Sequence, residues 1–299
     1  MPWIRAEAPA LLAFLEANVA LQRGARAPSD RARTRLDRLV ETPSKHLGAV
    51  WSPDSTAPSP AIALIEADDA EVEVVGLHDE DIEQALPSLS NFLATRGTSG
   101  AKVWVRGYEP AVLPMGWNVE RSVEFHTLAV RPLPVLPPPP DIVIRSFQLG
   151  VDEESWLGAN TDAFSHHPDQ GNLSRADLLA RMNEPWFDAK GFLLAERDRA
   201  IIGFCWTKIS ESNERLTTTP GGERVHAVDG EIYAIGVVPD AHGIGLGRNL
   251  LISGLRSLAQ HGATRWSLYV ESDNLPARAL YESLGFQRSA VQHMYRVAS

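Results

Sequence analysis

Between His242 and Arg248 the chain reads His-Gly-Ile-Gly-Leu-Gly-Arg, three glycines at alternate positions flanked by two basic side chains. Glycines so spaced let several backbone N–H groups converge, and converging N–H groups hold an anion, above all a phosphate or diphosphate. A nucleoside-triphosphate loop would require Gly-Lys-Ser/Thr, whereas here Gly247 is followed by Arg248 and Asn249. The dinucleotide fingerprint GxGxxG fails too, because glycines at 243, 245 and 247 run GxGxG. His166, His167 and Asp169 share a polar turn, but adjacent side chains diverge and no third ligand pattern follows, so no metal is expected. Cys205 stands among Ile201, Ile202, Phe204 and Trp206 and reads as a core thiol rather than a nucleophile.

The loop works only if other elements position it. Ile232, Tyr233, Ile235, Val237 and Val238 are β-branched or aromatic and predict a strand that Pro239 ends. Leu250, Leu251, Gly254, Leu255 and Leu258 predict a helix after the glycines, whose N-terminus adds positive partial charge to the cradle. Trp266–Val270 reads as a second strand, and Asn274 with Pro276 suits the start of a helix through Ser283 that Gly285 stops.

These two strings resemble the hallmarks of the GNAT acetyltransferases. The first matches a Q/R-x-x-G-x-G/A diphosphate loop, with His242 at the Gln/Arg place. The second, through Asn274, Ala277, Leu280, Tyr281, Leu284, Gly285 and Phe286, matches N-xx-A-xx-LY-xx-LGF. The resemblance implies an α+β fold, a mixed central sheet flanked by helices, with acetyl-CoA as co-substrate and no metal.

With 299 residues, the chain exceeds one such domain, and two of roughly 150 residues are expected. Its net charge of −10 comes without any basic block, which argues against nucleic acid as a partner. One cysteine excludes an internal disulfide framework and suits a reducing cytoplasm. No signal-peptide core and no apolar run of membrane-spanning length is present, so no membrane partner is expected; a cytoplasmic monomer is.

The proline run Leu133–Pro140 reads as a stiff, extended linker. It divides the chain into residues 1–136 and 141–299, with 137–140 between. In the first part, helices are expected over residues 3–24, Arg31–Val40 and Ile82–Phe92. Strands are expected from Val50, over Ala61–Glu66, Val72–Val75, Lys102–Arg106 and Ser122–Val130, and a turn over Pro53–Pro60. In the second part, strands are expected at Asp141–Phe147, Phe192–Glu196 and Ile201–Ile209, helices at Asp152–Phe164 and Leu178–Met182, and a long polar loop over Ser210–Asp229. The order of elements makes the first part a second copy of the same fold. Its cradle is replaced by His78-Asp79-Glu80-Asp81-Ile82-Glu83, whose carboxylates would repel a diphosphate.

The segments AFSHHPDQG, EPWFDAKGFLLA, GFCWTK, GEIYAIGVVP and LYVESDN together resemble the mycothiol acetyltransferase (mycothiol synthase) family of actinobacteria, tandem GNAT proteins in which only the C-terminal domain catalyses. The resemblance implies acetyl transfer from acetyl-CoA to the cysteinyl amine of desacetylmycothiol, Cys-GlcN-inositol. It places substrate contacts on Asp30, Asp169, Lys208, Glu231 and Tyr269. It places coenzyme contacts on Ile235, Gly236 and Val237, on His242, Gly243, Ile244, Gly245, Leu246, Gly247 and Arg248, and on Asn274, Leu275, Pro276, Ala277, Arg278 and Ala279. For such chemistry a carboxylate must take the proton of the attacking amine, and Glu231 is the choice. The N–H near Val237 would meet the oxyanion, and Tyr281 would stabilise the leaving thiolate and return a proton. The alternatives are another small amine or a peptide N-terminus as acceptor, or a non-catalytic acyl-CoA sensor.

Overall fold

The computed structural model describes residues 4–6, 11, 46–51, 61–66, 71–76, 78–95, 100–165, 167, 170–218 and 224–298. The expected helix Arg31–Val40, most of that at 3–24, the turn Pro53–Pro60, Asp30 and Asp169 lie outside them. The chain forms two compact units: Met1–Phe125 with Val270–Leu275 and Arg288–Ser299, and His126–Tyr269 with Pro276–Gln287. Each unit thus takes segments from both sides of the proline run, where the sequence suggested contiguous halves.

In the first unit, β1 (Ile4–Ala6), β2 (His46–Trp51), β3 (Ala61–Glu66) and β4 (Glu71–Gly76) pair successively antiparallel. Helix α1 (Asp79–Ala94) then returns the chain to β5 (Lys102–Val105), parallel to β4. Alternation sends Val72, Val74, Val103 and Val105 into one core with Ile82, Leu86 and Leu89 of α1. Ile4–Ala6 corrects the helix expected from residue 3: these residues pair with Gly48–Val50. Strand β6 (Trp117–Ala129) follows, its residues up to Phe125 belonging to this unit.

The second unit repeats the scheme. Strand β7 (Val143–Ser146) precedes helices α2 (Glu153–Ala163) and α3 (Arg175–Met182), then β8 (Phe192–Arg197), β9 (Ala200–Thr218) and β10 (Arg224–Val237). Helix α4 (Leu246–Gln260) leads to β11 (Arg265–Glu271), and helix α5 (Leu275–Ser283) precedes β12 (Gln287–Val297). Pairing from β7 to β10 is antiparallel at every step and parallel from β10 to β11, the same senses as from β1 to β5. The repeat is therefore a repeat of topology. The last strand, β12, pairs antiparallel with β5, so the C-terminal end of the chain completes the first unit.

Two expectations need correction. The polar loop expected over Ser210–Asp229 is largely strand, since β9 reaches Thr218 and β10 begins at Arg224, with Asp229 opposite Ser210 and Arg224 opposite Thr218. Neighbouring strands on one hairpin need no apolar alternation when cross-strand pairing supplies the backbone hydrogen bonds. The proline run is docked rather than free: the carbonyl of Pro137 accepts Asn249 Nδ2 at 2.6 Å and that of Pro134 accepts Arg256 Nη2 at 2.5 Å, both from α4.

One face of the second sheet is packed by α4, the other by an aromatic core. Gly254 of α4 makes the first contact possible, because a Cβ there would lie 2.4 Å from Cys205 Sγ. On the opposite face, buried Trp156 of α2 meets Phe192, Phe204 and Trp206 edge-on at 5.3–5.7 Å between centroids. Among the described residues no helix is long and apolar enough to cross a membrane.

Candidate active site

Strand β10 organises the site. Its alternation sends Gly230 and Ile232 against α4, so Glu231 projects to the aromatic face. There the register sets Glu231 opposite Lys208 on β9 and Ser267 on β11. Between Ile232 and Ala234 the register with β9 shifts by one, with Tyr233 the extra residue. This bulge changes which face later residues meet: Ala234 joins the aromatic core, and a Cβ on Gly236 would meet Phe204 and Ala163 at 2.9–3.0 Å. Ile235 and Val237 accordingly turn toward α4.

The bulge coincides with an opening. The parallel ladder between β10 and β11 runs from Asp229–Arg265 to Ile232–Leu268, yet β10 continues to Val237. The N–H of Val238 donates to Ile202 O on β9 at 3.0 Å, so alternation turns the N–H groups of Val237 and Ile235 to the side β11 has left. His242 Nε2 reaches Val237 O on that side at 2.9 Å.

Past Val237 a 3-10 turn, Pro239–Ala241, carries the chain into the glycine loop. His242 to Gly245 are all exposed, then Leu246 is buried as α4 begins. Gly243 and Gly245 have φ of 79° and 82°, a region a side chain rarely adopts, and Gly245 is the N-cap of α4. The first bond of α4 runs from Asn249 N–H to Gly245 O, so the helix supplies no partner for the N–H groups of Leu246, Gly247 and Arg248. No side chain caps this end and its first turn holds no acid. A Cβ on Gly243 or Gly245 would meet nothing within 4 Å. Main-chain donors, helix dipole and open space above them fit an anionic diphosphate.

The first unit's equivalent end is built differently. Helix α1 opens with Asp79, Glu80 and Asp81, and Asp81 Oδ2 accepts the N–H of His78 at 2.9 Å. A carboxylate of the chain itself occupies the helix N-terminus.

Helix α5 is fastened beside the cradle. Arg248 Nη1 donates to Ser283 Oγ at 2.7 Å, and a Cβ on Gly247 would lie 3.9 Å from Leu280 Cδ2. Tyr281, next to Leu280, is buried, and burial pushes its phenol well above the ordinary tyrosine value. The phenol is therefore a lasting hydrogen-bond donor. Gly285, at φ 87°, ends the helix, where Gly285 N–H reaches Glu282 O.

Of the other residues the sequence singled out, Tyr269 is half-buried on β11, and alternation from Ser267 sets it on the Glu231 face. Asn274 N–H bonds Glu271 O at 3.0 Å ahead of α5, which carries Leu275, Pro276, Ala277, Arg278 and Ala279. Gly236 packs its Cα against aromatic side chains, so any coenzyme contact there belongs to its backbone. His167 sits in a turn, its Nδ1 accepting Gln170 N–H at 3.0 Å.

Sequence reasoning named Lys208 but missed the wall that it meets on the Glu231 face. Lys208 Nζ lies 4.8 Å from the ring centre of Trp186 and 5.6 Å from that of Tyr233. Arg181 Nε donates to Tyr233 Oη at 3.1 Å. Nothing in local spacing links residues 181, 186, 208 and 233, because they meet only through the bulge and the hairpin.

Comparison with known proteins fits this geometry. Residues 159–286 match the Acetyltransferase (GNAT) family, a span holding the opened strand, the cradle and Tyr281. A mycothiol acetyltransferase of Arthrobacter sp. (strain FB24) is 38% identical over 244 residues, covering 79% of this chain and 72% of that protein. The chain belongs to the mycothiol acetyltransferase family. A second member, from Streptomyces bingchenggensis, is 48% identical over 165 residues, 55% of this chain and 48% of that one. Two solved structures share the whole fold: a GCN5-related N-acetyltransferase from Sphaerobacter thermophilus, with TM-score 0.62, 18% identity and 98% and 95% of the two chains covered, and a tandem GNAT protein from the clavulanic acid pathway, with TM-score 0.61, 14% identity and 99% and 97% covered. As a mycothiol acetyltransferase family member the chain is an acetyltransferase.

Proposed function

We propose that the chain transfers the acetyl group of acetyl-CoA to the cysteinyl amine of desacetylmycothiol. The observation that carries the reading is the register of β10: Glu231, Lys208 and Tyr269 share one face, while the opened edge of the same strand leads to the cradle. The diphosphate would rest on the N–H groups of residues 243–248, with Arg248 adding charge. The pantetheine arm would follow the edge that β11 leaves, bonding the backbone of Ile235 and Val237 as a further strand would.

Glu231 takes the proton of the ammonium, directly or through one water, since only the free amine attacks a thioester. The Val237 N–H stabilises the oxyanion that develops at the carbonyl. Tyr281 donates a hydrogen bond to the sulfur as it leaves. Its raised pKa keeps the phenol protonated, so a proton that it passes to the thiolate is replaced, in net, by the one taken from the amine, and Tyr281 ends the cycle neutral. Asp30 and Asp169 complete the substrate contacts in this reading.

The second unit carries the catalysis, and the first is a degenerate copy whose capped helix end leaves one coenzyme bound per chain. The enzyme acts as a cytoplasmic monomer on a small molecule, without metal, nucleic acid or membrane. Kinetics with Cys-GlcN-inositol beside cysteine-free amines tests the substrate. Glu231→Gln should cut kcat by about 10²- to 10⁴-fold while leaving the KM for acetyl-CoA unchanged. A better rate on another amine, or full turnover by Glu231→Gln, would overturn the reading.

A further inference from the structure

The wall beside Glu231 holds more order than packing requires. A lysine in water samples many rotamers, and fixing it costs up to about 2 kcal/mol. Here Lys208 Nζ is set over two rings at once, 4.8 Å from Trp186 and 5.6 Å from Tyr233. Those rings are themselves fixed. Trp186 lies 4.8 Å from Tyr233 and 5.8 Å from fully buried Trp206. Tyr233 in turn is 5.3 Å from Trp206, edge to face. Its hydroxyl accepts Arg181 Nε at 3.1 Å, and Arg181 Nη1 donates to Asp177 O within the same helix, α3. Tyr233 is also the inserted residue of the bulge, and alternation sets it on the face of Glu231 two residues earlier.

Resting on the acetyl transfer proposed above, we infer that Trp186, backed by Tyr233 and Arg181, is a positioning residue for Lys208. It holds the ammonium on the face that carries Glu231, where it would meet the hydroxyl-rich part of the amine acceptor. The coenzyme lies elsewhere, along the opened edge and the cradle. Affinity for the acceptor then depends on Trp186, and affinity for acetyl-CoA does not. A wall that served packing alone would act on both substrates and without regard to Lys208.

The test is a double-mutant cycle on the full chain, by steady-state kinetics with acetyl-CoA and Cys-GlcN-inositol. Trp186→Leu should raise the KM for the acceptor about tenfold and change that for acetyl-CoA by less than about twofold. Lys208→Met should raise the acceptor KM at least as far. The double variant should be no worse than Lys208→Met alone, because the tryptophan acts through the lysine. Trp186→Phe keeps a ring and should lose only about threefold; it serves in the cycle if the leucine variant fails to fold. Losses that multiply in the double variant, or equal increases in both KM values, would overturn the inference. If another amine proves the better acceptor, the substrate reading falls, and the same cycle run on that amine still decides the role of Trp186.

Discussion

Replacing Gly245 with alanine separates the two things that this glycine does. At φ 82° an alanine pays the left-handed backbone penalty of roughly 1–2 kcal/mol, and its Cβ meets no protein atom within 4 Å. The fold should therefore survive, with Tm lowered by roughly 2–8 °C. The methyl group would, however, stand at the mouth of the cradle, where the diphosphate must approach the N–H groups of α4. Losing one hydrogen bond to a charged group costs roughly 1.5–3 kcal/mol, so coenzyme affinity should fall about 10- to 100-fold. Gly262 supplies the control: φ is 84°, a Cβ there also meets nothing, and it lies just past the other end of α4. Gly262→Ala should show the same loss of Tm with unchanged affinity. Calorimetric titration with coenzyme A, alongside thermal melts, reads both quantities. Equal affinity in the Gly245→Ala variant and the native chain would refute the claim that the loop is the phosphate cradle.

Three further outcomes follow from the titrating groups. Because burial raises the pKa of Tyr281, its phenol stays protonated well past the ordinary value, and kcat should show no loss near pH 10 that Tyr281→Phe abolishes. Cys205 is fully buried and its thiol is pushed up to about 12, so alkylation in the native state should proceed only as fast as unfolding, as mass spectrometry after timed iodoacetamide exposure would show. Arg145 Nη1 and Nη2 bind Asp152, whose Oδ2 also accepts Gln148 N–H at 2.7 Å, and this holds the carboxyl below its ordinary 3.8. A depressed pKa contributes stability that is complete above the unfolded value and lost as pH falls through the folded one. Asp152→Asn should therefore be less stable at neutral pH, with the difference shrinking below about pH 4 in urea melts.

Much of the site was legible because its signals are local. The GxGxG run, Pro239 before it and the helix periodicity behind it are neighbours in sequence, and α4 with its open end follows from them. Glu231 and Lys208 were named separately as candidates, but their pairing depends on the β9–β10 register. The bulge at Tyr233 was illegible, since Ile232, Tyr233, Ala234 and Ile235 read equally well as an uninterrupted strand. The extension of β9 to Thr218 was missed because polar residues hide a strand whose partner supplies its bonds. Likewise β12 carries an ordinary strand pattern that says nothing of its partner, and that partner, β5, lies in the other half of the sequence.

The central claim is that main-chain donors at one helix end hold the coenzyme. Backbone amide NMR of the labelled chain, titrated with coenzyme A, tests it most directly. The N–H signals of Gly243, Gly245, Leu246, Gly247 and Arg248 should shift and saturate together at one equivalent, with those of Asp79, Glu80 and Asp81 unmoved. Shifts confined to residues 79–81, or an unchanged loop at saturating coenzyme, would contradict it.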